Sequence, residues 1–213
     1  MASPQTFQPS TKDNFLNKAL PDNNNGVVTS ARLFGSTGTE MRILATFNVS
    51  DFPANMVIHT AKFSLNYFSY GGADPVGRQV DVFKQTRNDW LEGTGNNAAG
   101  DSSWNQYKTG SAWTTAGGDY VTSNPAGVST NMPAGYGWVD WDIKAIVKDA
   151  IANVGSIVNV LARFTNEANA SQSSPYFYTR EYATASLRPK LVISYSEGGE
   201  VVNNPTLLTL GVG

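Results

Sequence analysis

Few side chains in this sequence could do covalent or acid–base chemistry. His59 is the one histidine of the 213 residues and cysteine is absent, which excludes thiol nucleophiles, thiolate metal ligands and disulfides. His59 falls in a strand pattern with no Ser or Cys near it in a nucleophile setting, so the expectation is a strand-face histidine bonded to a neighbour. Asp89, Glu92, Asp140, Asp142 and Glu181 could supply the paired carboxylates of glycoside hydrolysis, where the required separation is spatial. Capping, turns and an Arg180–Glu181 pair, joined by Arg188, explain most of them, and no catalytic residue is assigned. Asp74, Asp101 and Asp119 lie in Gly-rich loops that suit a hard cation, but no stretch reproduces the spacing of a calcium loop. No metal or cofactor is therefore expected, structural calcium being the one alternative considered. Aromatic residues offer a sharper chemistry. Trp90, Trp104, Tyr107, Trp113, Tyr120, Tyr136 and Trp138 crowd polar loops in one half of the chain. Flat rings stack on the apolar faces of sugars while Asn and Asp bind hydroxyls, so Trp104, Tyr107, Trp113 and Tyr120 are candidate carbohydrate-binding residues. The competing and preferred reading is that these rings wedge a long loop onto the body of the protein.

The elements that must position such residues read as all-β. Residues 1–26 are polar and broken by Pro4, Pro9, Pro21 and the run from Asp22 to Gly26, which reads as an N-terminal arm. From Val27 onward short apolar and β-branched runs alternate with turn residues, at 27–34, 41–49, 57–68, 79–86, 157–164, 175–182 and 190–195. Ile43, Ala45, Phe47 and Val49 alternate with Arg42, Leu44, Thr46 and Asn48, which predicts one face in the core and one mostly in water. Residues 51–56 form the turn to the next strand. Ile143, Ala145, Ile146, Val147, Ala150 and Ile151 recur at helical spacing after Asp142, the expected N-cap, and before Gly155. Between 87 and 137 the chain is rich in Gly, Asn, Ser and Trp without regular periodicity. A segment of that length is functional or hides short strands. The fold class expected is an antiparallel, jelly-roll-like β-sandwich over 27–195 with one short amphipathic helix.

Composition bounds the partners. Charged residues make up 15% of the chain, below the roughly 25% usual for soluble domains. Lys plus Arg number 15 against 17 Asp plus Glu, so no basic surplus exists for a nucleic acid backbone. No stretch approaches the length of a membrane span, and the N-terminus lacks the pattern of a secretory signal. Residues 196–213 form a linker and apolar tail. Thr206, Leu207, Leu208, Leu210 and Val212 are the candidate assembly residues, because an exposed apolar segment invites strand pairing, on its own domain or on a neighbouring subunit.

Several segments, in order, resemble the DNRLRE-type β-sandwich module. Met41 to Pro53 is similar to its "R-x-L-x-x-F-D-L-S-x-L-P" opening, and Ile58 to Leu65 to its "I-x-x-A-x-L-x-L" strand. Asp89-Trp90-Leu91-Glu92-Gly93 resembles "D-W-x-E-G". Ser103-Trp104-Asn105 and the run from Ala112 to Asp119 resemble "T-W-N" and "W-T-T-A-G-G-D". Trp141-Asp142-Ile143 resembles "F-D-V-T", and Phe177 to Glu181 with Leu187 to Leu191 resembles "F-x-S-R-E … R-P-x-L". Asn48 and Thr179 depart from the usual Asp and Ser. The resemblance covers about residues 13–195 and implies a sandwich without catalytic activity, found on secreted carbohydrate-active proteins, surface proteins and tailed-phage virions. Some such modules are similar to alginate-binding carbohydrate modules. The function expected is a non-catalytic structural or decoration protein of a virion or extracellular surface, with copies of itself and other assembly proteins as partners. The alternatives are a carbohydrate-binding or adhesin module using loops 90–138, with a cell-surface glycan as partner, and a subunit of a donor-strand-linked cellular filament. Neither nucleic acid nor membrane is expected as a partner.

Overall fold

A computed structural model describes residues 3–123, 125, 127–169 and 172–197. The candidate assembly residues Thr206, Leu207, Leu208, Leu210 and Val212 lie outside the described residues. Two six-stranded sheets, every pairing antiparallel, pack face to face as an all-β sandwich with one helix. Among the described residues no helix is long and apolar enough to cross a membrane.

The first sheet is built on one long strand, β6 (Met56–Gly72). Residues 62–64 pair with both β13 (Gly137–Asp142) and β16 (Lys190–Glu197), and Tyr67 pairs with both β13 and β15 (Ser173–Tyr178). A strand has two edges, so β13 runs along one edge of β6 while β15 and β16 lie end to end along the other. Outside them, β1 (Ser3–Phe7) pairs with β16 and β4 (Ser30–Arg32) with β15. In the second sheet β11 (Tyr120–Val121) and β12 (Val128–Asn131) share one edge of β7 (Gln79–Gln85). β14 (Ile157–Phe164), β5 (Met41–Asn48) and β2 (Lys12–Asn17) follow in that order. Two short ladders complete the set, β3 (Asn23–Asn24) with β8 (Ala98–Ala99), and β9 (Gln106–Lys108) with β10 (Ser111–Ala112).

Period-two alternation explains the core between the sheets. Ile43, Ala45 and Phe47 from β5 meet Ala61, Phe63, Leu65 and Tyr67 from β6, with Val80, Val82, Trp141, Val160, Phe164 and Phe177 filling in. Helix α1 (Lys144–Asn153) closes one side through Ile146, Val147 and Ala150. It begins one residue later than the expected cap, so Ile143 occupies the N-cap position. Asp142 still satisfies a free helix donor, its Oδ1 accepting the Lys144 N–H at 3.0 Å.

Two expectations are corrected. Residues 3–26 do not form an arm, since β1 and β2 are integral strands of the two sheets. Pro4 lies in β1, an edge strand, the place in a sheet where proline is tolerated. The second face of β5 is not in water either. Leu44 pairs with Leu161 of β14, Leu16 lies beside them on β2, and these three leucines form a second core with Trp90, Trp104, Tyr107 and Trp113. The aperiodic region from residue 87 is therefore a third layer laid over the outer face of the second sheet.

Candidate functional site

The third layer takes up the aromatic residues that a sugar site would need. Trp104, Tyr107 and Trp113 are 6%, 9% and 4% exposed, so their rings present no free face to a sugar. Trp113 Nε1 donates to the Ser103 carbonyl at 2.8 Å, and Trp90 Nε1 to Thr46 Oγ1 at 3.2 Å. Arg42 lies over the Trp104 ring, donates to the Gly117 carbonyl at 2.9 Å and is held by a bidentate pair to Glu167 at 2.8 Å. Tyr120 alone of the four candidates stays half-buried. It lines an open polar cleft of about 630 Å³ with Thr86, Arg87, Thr114, Thr115 and Asp119. The Asp119 carboxylate shapes that cleft by accepting the N–H groups of Thr114 and Thr115 at 3.0 and 2.8 Å.

The other singled-out residues are dispersed. His59 is exposed on β6 and its Nε2 lies 2.9 Å from Ser196 Oγ on β16, a cross-strand pair between residues distant in sequence. Asp74 and Asp101 cap their own turns, accepting the N–H groups of Val76 and Thr109 at 2.9 and 3.2 Å. They make no shared site with Asp119. Asp140 pairs with Ser64 and Lys62, and Asp89 with Arg87 and Lys108.

What the fold does bring together is Glu92, Arg180 and Glu181, with Asp13, which sequence reasoning passed over. β15 and β16 share one edge of β6, so the chain between them must leave the sheet. This excursion carries Arg180 and Glu181 against the start of β2, and Thr179 N–H donates to the Thr29 carbonyl at 3.3 Å to seat it. Glu92 arrives from the third layer, two residues after the buried Trp90. Glu92 Oε1 accepts the Asp13 N–H at 2.7 Å, and Asp13 Oδ2 accepts from Ser10 Oγ at 2.7 Å and from the Arg180 N–H at 2.9 Å. The Arg180 guanidinium bridges Glu92 Oε2 at 2.6 Å and Glu181 Oε1 at 3.3 Å. One oxygen from each of the three carboxylates lies within 4.8 Å of the others. Burial pushes the Asp13 carboxyl up to about 7 and raises Glu92 and Glu181 as well. Lys12, with its Nζ on the Trp90 carbonyl at 2.7 Å, is lowered, again by burial. The donor set is all oxygen, suited to hard cations and closed to a bulky substrate, since Asp13 is only 3% exposed. A signal for Asp13 existed in the alternation of Asp13 and Phe15 with Asn14 and Leu16, a strand pattern hidden among prolines and asparagines.

A separate apolar groove of about 490 Å³ runs between residues 52–58 and the helix, lined by Phe52, Pro53, Met56, Val57, Ile58 and Ile151. Val57 is 48% exposed and Ile151 36%. No protein-family model matches the chain, and no curated protein is similar enough to it to count as a match.

Proposed function

We propose that this chain is a non-catalytic structural or decoration module of an extracellular assembly, of the tailed-phage virion kind, fastened to a second copy through its C-terminal segment. The observation that carries this reading is the apolar groove at 52–58. Ser196 and Glu197, the last residues of β16, pair with Val57 and Met56 in the groove wall. The described part of β16 thus ends beside an exposed apolar surface, and the sequence continues through Gly198, Gly199 and Glu200 to Thr206, Leu207, Leu208, Leu210 and Val212. Apolar grooves with strand edges nearby are the surfaces to which extended segments of neighbours add. The test is solution mass by light scattering across concentration, for the full chain and for a 1–199 truncation. The expected result is an oligomeric full chain and a monomeric, folded truncation that binds an added 200–213 peptide. A full chain that stays monomeric at all concentrations would overturn the reading.

A second reading, glycan binding, is favoured by the open cleft that holds Tyr120, Arg87 and Asp119. It moves the site from the buried tryptophans to the cleft. It predicts that Tyr120→Ala loses retention on a glycan matrix while keeping the fold, and a wild-type chain that no glycan matrix retains would remove it.

A further inference from the structure

We infer that Asp13, Glu92 and Glu181 form a binding site for a hard divalent cation, calcium foremost. Two oxygens that each lie about 2.4 Å from one calcium ion stand at most about 4.8 Å apart, and the three carboxylates meet that limit. Proximity of acidic groups alone would be weak ground. The independent observation is that Asp13 Oδ1, on a side chain 3% exposed, has no hydrogen-bond partner among the described residues. A buried carboxylate oxygen left unpaired is costly, and native structures rarely tolerate one. A cation between the carboxylates satisfies it.

Arg180 is the guanidinium that touches the carboxylates, with Lys12 acting on Glu92 and Arg188 on Glu181 from further off. Arg180 holds Glu92 Oε2 and Glu181 Oε1, which leaves Asp13 Oδ1 for the ion. Lys12 Nζ is committed to the Asn88 and Trp90 carbonyls at 3.3 and 2.7 Å. Without imidazole or thiolate in the set, zinc and copper are disfavoured. Magnesium demands a stricter octahedron and gives up water reluctantly. The ion would join three segments distant in sequence, the start of β2, the third layer and the 179–189 excursion, as a staple independent of how the module assembles.

The experiment uses the full chain stripped with a chelator. Calcium at millimolar concentration is expected to raise its Tm, magnesium less so. Terbium is expected to show luminescence sensitised by the nearby Trp90 and displaced by calcium. Asp13→Asn and Glu181→Gln, each checked for fold by circular dichroism, should weaken terbium binding by roughly an order of magnitude or more. Should Asp13→Asn fail to fold, the wild-type titration and Glu181→Gln decide. A wild-type Tm indifferent to calcium with no displaceable terbium signal would overturn the site, and so would binding unchanged by Glu181→Gln.

Discussion

Asp13 keeps a raised carboxyl pKa, at about 7, first because burial strips its water and further because Glu181 and Glu92 repel its charge, against the opposing bonds from Ser10 and Arg180. The consequence for stability has a definite sign. Below about pH 4 Asp13 is protonated both folded and unfolded; between about 4 and about 7 only the folded chain keeps the proton. Stability from this group is therefore fully present at the acid end and is lost as pH rises to about 7, and the raised Glu92 and Glu181 act in the same direction. In chelator-containing buffer the urea midpoint should fall across this window, and Asp13→Asn should flatten the fall. A wild-type midpoint that climbs with pH there would contradict it. A second residue-scale expectation concerns Trp113. Its ring packs on Tyr107 with centroids 5.7 Å apart and is buried in the second core. Trp113→Ala should cost about 3–5 kcal/mol in chemical denaturation, and a variant of unchanged stability would show that the ring is not part of a core. Of these residues, Glu92, Arg180 and Glu181 were legible as pieces of ordered motifs. Their meeting was not, because a pairing between positions 92 and 180 depends on how two sheets are wound, which no local pattern encodes.

The strands at 41–48, 79–85 and 157–164 were readable almost to the residue, because alternation there coincides with turn residues at both ends. The strand expected at 27–34 shrinks to Ser30–Arg32. The third layer was not readable as structure, since its order comes from seating on other elements. β9 and β10 are three and two residues long and, among the described residues, pair only with each other. Their place is fixed by tryptophans packed on Leu16, Leu44 and Leu161. The turn at Gly117 and Gly118 shows how tight that seating is. Both residues have positive φ, +89° and +103°, and a Cβ at 118 would stand 2.6 Å from Leu161 Cδ1. Only glycine meets both demands without displacing the layer. Gly118→Ala should cost about 1–3 kcal/mol through backbone strain and loosen the layer first. The check is hydrogen exchange, in which amides of residues 103–119 should exchange faster in the variant while those of β5 and β14 hardly change. Equal loss of protection in residues 103–119 and in β5 and β14 would mean that the layer and the sandwich unfold as one unit.

The whole molecule is closed by its N-terminal residues. β1 pairs along β16 from Ser3 opposite Tyr195 to Phe7 opposite Leu191, and β2 pairs along β5 from Lys12 opposite Thr46 to Asn17 opposite Met41. One short segment thus borders both sheets, Asp13 lies in it, and Lys12, Asn14 and Asp13 bond the third layer or the 179–189 excursion. Composition alone predicts an arm here because prolines and asparagines mark turns. The strand signal is carried instead by the few residues between them, Phe7, Phe15 and Leu16. If the segment were an arm, its removal would leave a stable sandwich. The pairing predicts otherwise. Deleting residues 1–9 removes β1 and uncovers β16, whose unpaired N–H and C=O groups then template pairing with other chains. The expected outcome is a lower urea midpoint and concentration-dependent aggregation on warming. Deleting 1–26 also takes β2, Leu16 and Asp13, opens both cores and should abolish cooperative unfolding altogether. A 27–213 chain that unfolds cooperatively with the wild-type midpoint would restore the arm and displace β1 and β2 from the fold. The contrast with a 1–199 truncation is informative, because loss of the tail should alter solution mass and, at concentrations too low for association, leave the midpoint intact. Stability and assembly then separate to opposite ends of the chain.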